Sequence, residues 1–425
     1  MLYNGNVPRS GGVRPRGKHG IYGRKKMAYE YIRRFEGLGM GLFVHFGLYS
    51  VLGKGEWYLT SNPHADAEAY ARLPEKFKVR KGWAQALARV AKRAGAKYIT
   101  LTTRHHDGFS LYDTCGLNTF DAPHSAAGRD LIAEFVAACR EEGLVPFFYH
   151  TLLDWHEQSY KTDFKAYIDY LAASLEILCT RYGKIGGFWF DGMWDKPGAD
   201  WQESRLYALI RKYQPEAMIV NNTGLNALGE TGHHEIDSVT FERGRPAAVR
   251  VKDKPIAGEM CQVLNDHWGY AKNDVNYKPV STFLGDLVDC RRYNCNYLLN
   301  TGLRGDGSVN PTDKCLLGEV GKWIRANKNF IYGVRGSDCA CEGGFVLEDE
   351  KAWYIVVKDV VMAADPNVQR RLAEQQVRVD ARIAGKAYWL DSGEKAQLQG
   401  GELAVQPYDY GTSYAVRVAK VEKGA

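Results

Sequence analysis

The chain predicts a (β/α)8 TIM-like barrel with an irregular second half, followed by a small C-terminal antiparallel β-sandwich. Three observations carry that prediction. Eight short apolar runs recur between residues 40 and 302, helical patterns separate several of them, and the composition changes beyond residue 335. The runs are "GLFVHFG" (41–47), "KYITLTT" (97–103), "LVPFFYHT" (144–151), "GGFWFDG" (186–192), "AMIVNNT" (217–223), "SVTFE" (238–242), "PIAGEMC" (255–261) and "NYLLNTG" (296–302). They are nearly continuous in apolar residues, as strands buried on both faces are, and do not alternate as half-exposed strands do.

The intervening segments read as helices. "GRDLIAEFVAACREEGL" puts Leu131, Ile132, Phe135, Val136 and Cys139 on one helical face and stops at Gly143, just before the next strand. "GWAQALARVAKRAG" (82–95) and "FKAYIDYLAASLEILCTRYG" (164–183) follow the same pattern, each closed by glycine. The sixth and seventh runs are too close for a full helix between them, which makes that part of the barrel irregular. After "TDKCLLGEVGKWIRANKNFIYG", short alternating runs such as "AWYIVVKD", "QVRVDARI", "KAYWLD" and "SYAVRVAKV" are separated by Gly, Asp and Asn, the pattern of an antiparallel sandwich. The expected organisation is a basic arm over 1–26, a catalytic barrel over 27–335 and a sandwich over 336–425.

Composition narrows the function. Of 425 residues, 45% are hydrophobic and 12% aromatic, enough for a large core with aromatic surface left for a ligand. The net charge is +6, and much of the excess sits in Arg9, Arg14, Arg16, Lys18, Arg24, Lys25 and Lys26. That is a solvated basic arm, or, given "VPRSGG" and a second methionine at Met27, a vector-derived join; nucleic acid is not an expected partner. No run of about 18 apolar residues and no secretory apolar region occur, so neither a membrane partner nor export is expected. The nine cysteines are odd in number and scattered, several within helical segments, as in a cytoplasmic protein with reduced thiols. Cys339 and Cys341 have no second Cys or His pair nearby, and no zinc site is expected there. A homo-oligomer is left open.

Barrel enzymes carry their chemistry at the C-terminal ends of the strands. Those ends supply His45, then Glu56 and Trp57 in the following loop; His105 and His106; Tyr149; Trp189 and Asp191; Glu242; and Glu259 with Trp268 beyond it. Three chemistries compete for this set. A metal hydrolase would need His45, His105, His106 and Asp191 as ligands, but adjacent strand residues point to opposite faces, so His105 and His106 would need a loop bend to share an ion. No metal or organic cofactor is expected. A serine nucleophile lacks a G-x-S-x-G elbow. Paired carboxylates among aromatic rings and histidine donors, as in glycoside hydrolysis, use the whole list.

The strings "GLFVHFGLYSVLGKGEWY", "AKYITLTTRHHDGFSLYDT", "GGFWFDG" and "NYLLNTGLRGDG" resemble the segments that mark α-L-fucosidases of glycoside hydrolase family 29, over residues 35–335 and in the same order and spacing. The resemblance implies a retaining exo-glycosidase that releases terminal α-L-fucose from oligosaccharides or glycoconjugates through a glycosyl-Asp intermediate. It makes Asp191 the nucleophile and His45, His105, His106, Glu56, Trp57, Tyr149, Trp189 and Trp268 sugar-binding residues. For the acid/base it leaves Glu242, which is favoured, against Glu259, whose other role is to support the site by hydrogen bonds. Two departures stand out. "NNTG" (221–224) replaces an "NDR" that brings an arginine to the sugar, leaving Asn222, Arg243 or His234 to substitute, and "HFG" replaces "HWG". The alternatives are a member acting on another L-galacto-configured or arabinose-type glycone and a non-catalytic fucose-binding protein.

Overall fold

The computed structural model describes residues 29–222, 232–249, 254–362 and 375–424. The chain divides into two compact units, Met1–Glu30 and Tyr31–Ala425. The expected arm over 1–26 lies outside the described residues.

The eight apolar runs form a closed barrel in chain order: β1 (Met40–His45), β2 (Tyr98–Arg104), β3 (Val145–Thr151), β4 (Gly187–Asp191), β5 (Met218–Asn221), β6 (Ser238–Thr240), β7 (Ala257–Val263) and β8 (Cys295–Gly302). Every pairing is parallel, and β1 closes on β8 with Met40 opposite Tyr297 and His45 opposite Gly302. Helices Trp83–Ala94, Leu131–Glu142, Phe164–Arg181, Glu203–Tyr213, Val280–Arg292 and Pro311–Ala326 follow six of the strands. No helix joins β5 to β6 or β6 to β7 among the described residues, and β5 meets β6 through the single pair Val220–Ser238. The irregularity expected of the second half therefore lies on both sides of β6.

Alternation inside these buried strands aims the site. Leu42 and Val44, Phe148, and Phe188 and Phe190 join the apolar layer between strands and helices. Their neighbours Phe43, His45, Tyr149, Trp189 and Asp191 face the barrel interior instead, as period-two side chains must. Helix Leu131–Glu142 begins with an Asp130 carboxylate accepting from the amides of Ile132 and Ala133, each at 2.9 Å, and ends at Gly143 with φ 71°.

The C-terminal strands are β9 (Arg335–Gly336), β10 (Cys341–Glu342), β11 (Gly344–Glu348), β12 (Ala352–Val360), β13 (Gln375–Val379), β14 (Ala387–Trp389), β15 (Lys395–Gln399), β16 (Glu402–Val405) and β17 (Ala415–Glu422). Among the described residues they make one antiparallel sheet, ordered β10-β13-β16-β15-β14-β17-β12-β11-β9. The two faces expected of a sandwich are thus hydrogen-bonded into one sheet, curled around its own core of Ile355, Val357, Val377, Trp389, Leu403 and Val421. The alternate residues Tyr354, Val356, Val416 and Val418 pack into the barrel's apolar layer, and the Trp323 indole donates to the Val416 carbonyl at 3.1 Å. On β12 the aromatic and branched residues of "AWYIVVKD" are core on both faces, which makes covering the barrel a structural task of this domain.

Candidate active site

A cavity of 390 Å³ opens at the C-terminal ends of the barrel strands. Nine of the residues expected at the site line it: His45, Trp57, His105, His106, Tyr149, Trp189, Asp191, Glu242 and Trp268. Glu56 and Glu259 do not. The adjacent histidines reach the same cavity because the β2–β3 register slips between Thr102 and Arg104 and the strand then ends, so His105 and His106 lie in the turn beyond it. Such a bulge re-aims the side chains that follow it. Among the described residues no three His, Cys, Asp or Glu side chains are grouped to hold a metal ion.

Asp191 ends β4, where Gly192 turns the chain at φ 94°; a side chain there would place its Cβ 2.6 Å from Leu153 Cβ. Four donors surround the Asp191 carboxylate. Oδ1 accepts from Trp194 Nε1 at 3.1 Å and Asn222 Nδ2 at 3.3 Å, and Oδ2 from Tyr149 Oη at 3.0 Å, with His106 Nε2 at 3.4 Å. Burial alone would raise its pKa; His106, Trp194 and Tyr149 outweigh burial and hold it below the ordinary 3.8. The anion is the resting state.

The histidines are held by their outer nitrogens. Asn300 Oδ1 sits 2.7 Å from His45 Nδ1 and can only accept, so Nδ1 carries the proton. Burial lowers the His45 pKa to about 3, which leaves a neutral ring with Nε2 as an acceptor. Thr151 spends its one hydroxyl proton on the Leu153 carbonyl at 2.5 Å, so its oxygen accepts from His106 Nδ1 at 2.7 Å and turns Nε2 toward Asp191. His105 is neutral for the same reason as His45, burial, and its ring stacks on Tyr149 with centroids 5.5 Å apart.

The two candidate acids occupy different levels of the barrel. Glu259 is paired with Thr240, two residues below Glu242 along the strands, which is on the order of 6–7 Å deeper. It is buried, and its carboxylate accepts from the Tyr98 hydroxyl and, at 3.0 Å, from Trp189 Nε1. It thereby fixes the indole that stacks on Tyr149. Glu242 lines the cavity. Asn222 Nδ2, oriented by a 3.1 Å hydrogen bond from Thr240 Oγ1 to its carbonyl oxygen, donates to Glu242 Oε2 at 2.6 Å as well as to Asp191 Oδ1 at 3.3 Å. Those two distances add to 5.9 Å, which bounds the separation of the two carboxylate oxygens. Burial, and then the charge of Asp191, push the Glu242 pKa up to about 7. One carboxyl is held ionised, while its neighbour keeps its proton up to about pH 7.

The remaining expectations sort plainly. Glu56 is buried beside the cavity, accepting from the Gly269 amide at 2.8 Å. Of the three stand-ins for the missing arginine, Asn222 lines the cavity, whereas Arg243 and the exposed His234 do not. Thr223 and Gly224 of "NNTG" lie outside the described residues. Phe46, the variant position in "HFG", packs against Phe77 and Trp83, away from the cavity. Sequence reasoning missed Phe43 and Trp194. The signals were there: Phe43 stands two residues before His45 on the same strand face, and Trp194 follows the strand-end aspartate by one turn.

A closed parallel barrel whose mouth holds an ionised carboxyl and one with a raised pKa, their facing oxygens under 6 Å apart and ringed by tryptophans and histidines, is a glycosidase of the TIM-barrel class. The sequence matches the family described as "Alpha-L-fucosidase" over residues 23–329. It is similar to the tissue α-L-fucosidase of Rattus norvegicus, 28% identical over 330 residues (71% of this chain and 69% of that protein), and to the α-L-fucosidase of Dictyostelium discoideum, 26% identical over 336 residues (70% and 71%). The fold is similar to that of α-L-fucosidase isoenzyme 1 from Paenibacillus thiaminolyticus, with TM-score 0.80, 30% identity, and 94% of this chain and all of that chain covered. The chain belongs to the α-L-fucosidase family.

Proposed function

We propose that the protein is a retaining, exo-acting α-L-fucosidase, with Asp191 as nucleophile and Glu242 as acid/base. The observation that carries this is the single Asn222 amide that donates to both carboxyls, which holds Asp191 Oδ1 and Glu242 Oε2 no more than 5.9 Å apart. Retaining glycosidases place their carboxyls about 5–5.5 Å apart, whereas inverting ones need about 6.5–9.5 Å to admit a water. A cavity of 390 Å³ at the barrel mouth suits one terminal sugar.

In the first step an Asp191 oxygen bonds to the anomeric carbon while Glu242 gives its proton to the glycosidic oxygen. The bond to the leaving group breaks, giving a glycosyl ester on Asp191 and a Glu242 carboxylate. The ester carries no charge, so the Asp191 repulsion that adds to burial in raising the Glu242 pKa is gone, which favours the ionised form that acts as base. Water then gives a proton to Glu242, its oxygen bonds to the anomeric carbon, and Asp191 leaves as carboxylate. His45 Nε2 supplies a hydroxyl acceptor. Trp268 and Phe43, 5.8 Å apart, supply an apolar wall for a 6-deoxy methyl group, whose burial contributes on the order of 0.8 kcal/mol.

The nine cysteines are free thiols, which supports a reducing, cytoplasmic setting. The functional reading is tested by proton NMR of early turnover of an α-L-fucoside. The first sugar released is the α-anomer; first release of the β-anomer refutes retention, and absence of release refutes the activity.

A further inference from the structure

A second cavity, of 540 Å³, adjoins the first and shares two of its walls, Trp57 and Trp268. The junction falls at the acid. Glu242 lines the first cavity, and the next residue, Arg243, lines the second. Consecutive residues are divided this way by the backbone: Arg243 has φ 50°, the left-handed region that non-glycine residues seldom occupy. Its amide is tied to the Cys261 carbonyl at 2.9 Å. A conformation of this kind is strained and persists where the surroundings enforce it, most often beside functional groups. The guanidinium is also fixed, lying over the Trp268 ring at 5.1 Å and donating from Nη2 to the Asp266 carbonyl at 2.8 Å.

Position follows from the chemistry. The atom that Glu242 protonates is the glycosidic oxygen, so everything beyond that oxygen leaves from the acid's side of the terminal sugar. From there the shared Trp57 and Trp268 walls lead into the second cavity. Its polar lining is mixed in sign, with Lys54 and Arg243 against Glu56 and Asp266, alongside Tyr58, Asn62 and His267. Lys54 Nζ stands 4.7 Å over the Tyr58 ring. Neutral polyhydroxylated ligands suit such a set: amide, guanidinium and carboxylate groups meet hydroxyls, and indole edges meet ring C–H faces. A single-sign ligand or a purely apolar aglycone does not.

We propose that this second cavity is the subsite for the leaving-group sugar, and that Arg243 and Tyr58 set the preference for fucosylated saccharides over simple fucosides. The proposal rests on the fucosidase reading above. It is tested by comparing kcat/KM for the best-cleaved of the common fucosyl disaccharides with kcat/KM for α-L-fucosyl fluoride, which has no leaving-group sugar. Arg243→Met adjoins the acid, so Tyr58→Ala probes the cavity separately. In both variants the disaccharide-to-fluoride ratio falls about tenfold, the value of one lost charged or stacked contact. A ratio that stays constant in both, whether the two rates fall together or not at all, overturns the subsite. Wild-type protein that turns over neither substrate instead overturns the fucosidase reading.

Discussion

Replacing Asn222 with alanine separates the proposed acid from a mere neighbour, because activity and pH dependence then move in opposite senses. Asn222 Nδ2 donates to Glu242 at 2.6 Å and to Asp191 at 3.3 Å. A hydrogen bond to a charged acceptor contributes about 1.5–3 kcal/mol, and the shorter bond favours the ionised form of Glu242 by that order. Its loss raises the Glu242 pKa from about 7 by about one to two units, since each unit is worth about 1.4 kcal/mol. Protonated Glu242 is the form that acts on the glycosidic oxygen, so the basic limb of the kcat/KM profile moves to higher pH. Meanwhile kcat/KM at its maximum falls about ten- to a hundredfold, as the two carboxyls lose their common tether. The assay is kcat/KM against pH on a fucosyl disaccharide, whose poor leaving group requires the acid. A basic limb that stays in place or moves to lower pH refutes the coupling of Asn222 to the acid.

Trp194→Phe removes one of four donors to Asp191, so the acidic limb of the same profile moves to higher pH and kcat/KM falls along that limb; an unmoved limb counts against the contact. Thr151→Val takes away the oxygen that accepts from His106 Nδ1, lowering kcat/KM about tenfold, while Thr151→Ser restores it; equal loss in both would assign the effect to packing. Glu259 bears on stability. Its pKa is raised by burial from 4.5 to about 7, so its favourable contribution is complete below pH 4.5 and is lost as pH rises through 7. Glu259→Gln therefore makes the fall in unfolding free energy across that window shallower, by on the order of 3 kcal/mol at most; denaturant titrations at both ends of the window measure it.

The eight strands were legible because a parallel barrel buries both faces of each strand, leaving continuous apolar runs such as "GLFVHFG" and "NYLLNTG" that no exposed element would carry. The cavity-facing side chains followed from the strand ends. What one sequence did not carry was depth. Glu242 and Glu259 both sit among apolar neighbours, and only the β6–β7 register, with Thr240 opposite Glu259, sets one at the mouth and the other beneath Trp189. Pairing in the C-terminal sheet was equally hidden: alternation marks β12 and β17 as strands, but their placement between β11 and β14 is set by contacts far apart in sequence. His105 and His106 reach one cavity through a bulge at Thr102–Arg104, which no residue pattern announces. Arg243 sits in a turn without periodicity, where composition says nothing about direction.

The central claim is the pairing of Asp191 with Glu242, and azide tests it most directly. On an activated aryl α-L-fucoside, Glu242→Ala forms its glycosyl ester but lacks the base for water. Azide then restores turnover and yields α-fucosyl azide, the outcome of two inversions. Asp191→Gly lacks the nucleophile, so azide attacks directly and yields β-fucosyl azide by a single inversion. Rescue of Glu259→Ala in place of Glu242→Ala, or the same azide anomer from both the Asp191 and Glu242 variants, would contradict the account.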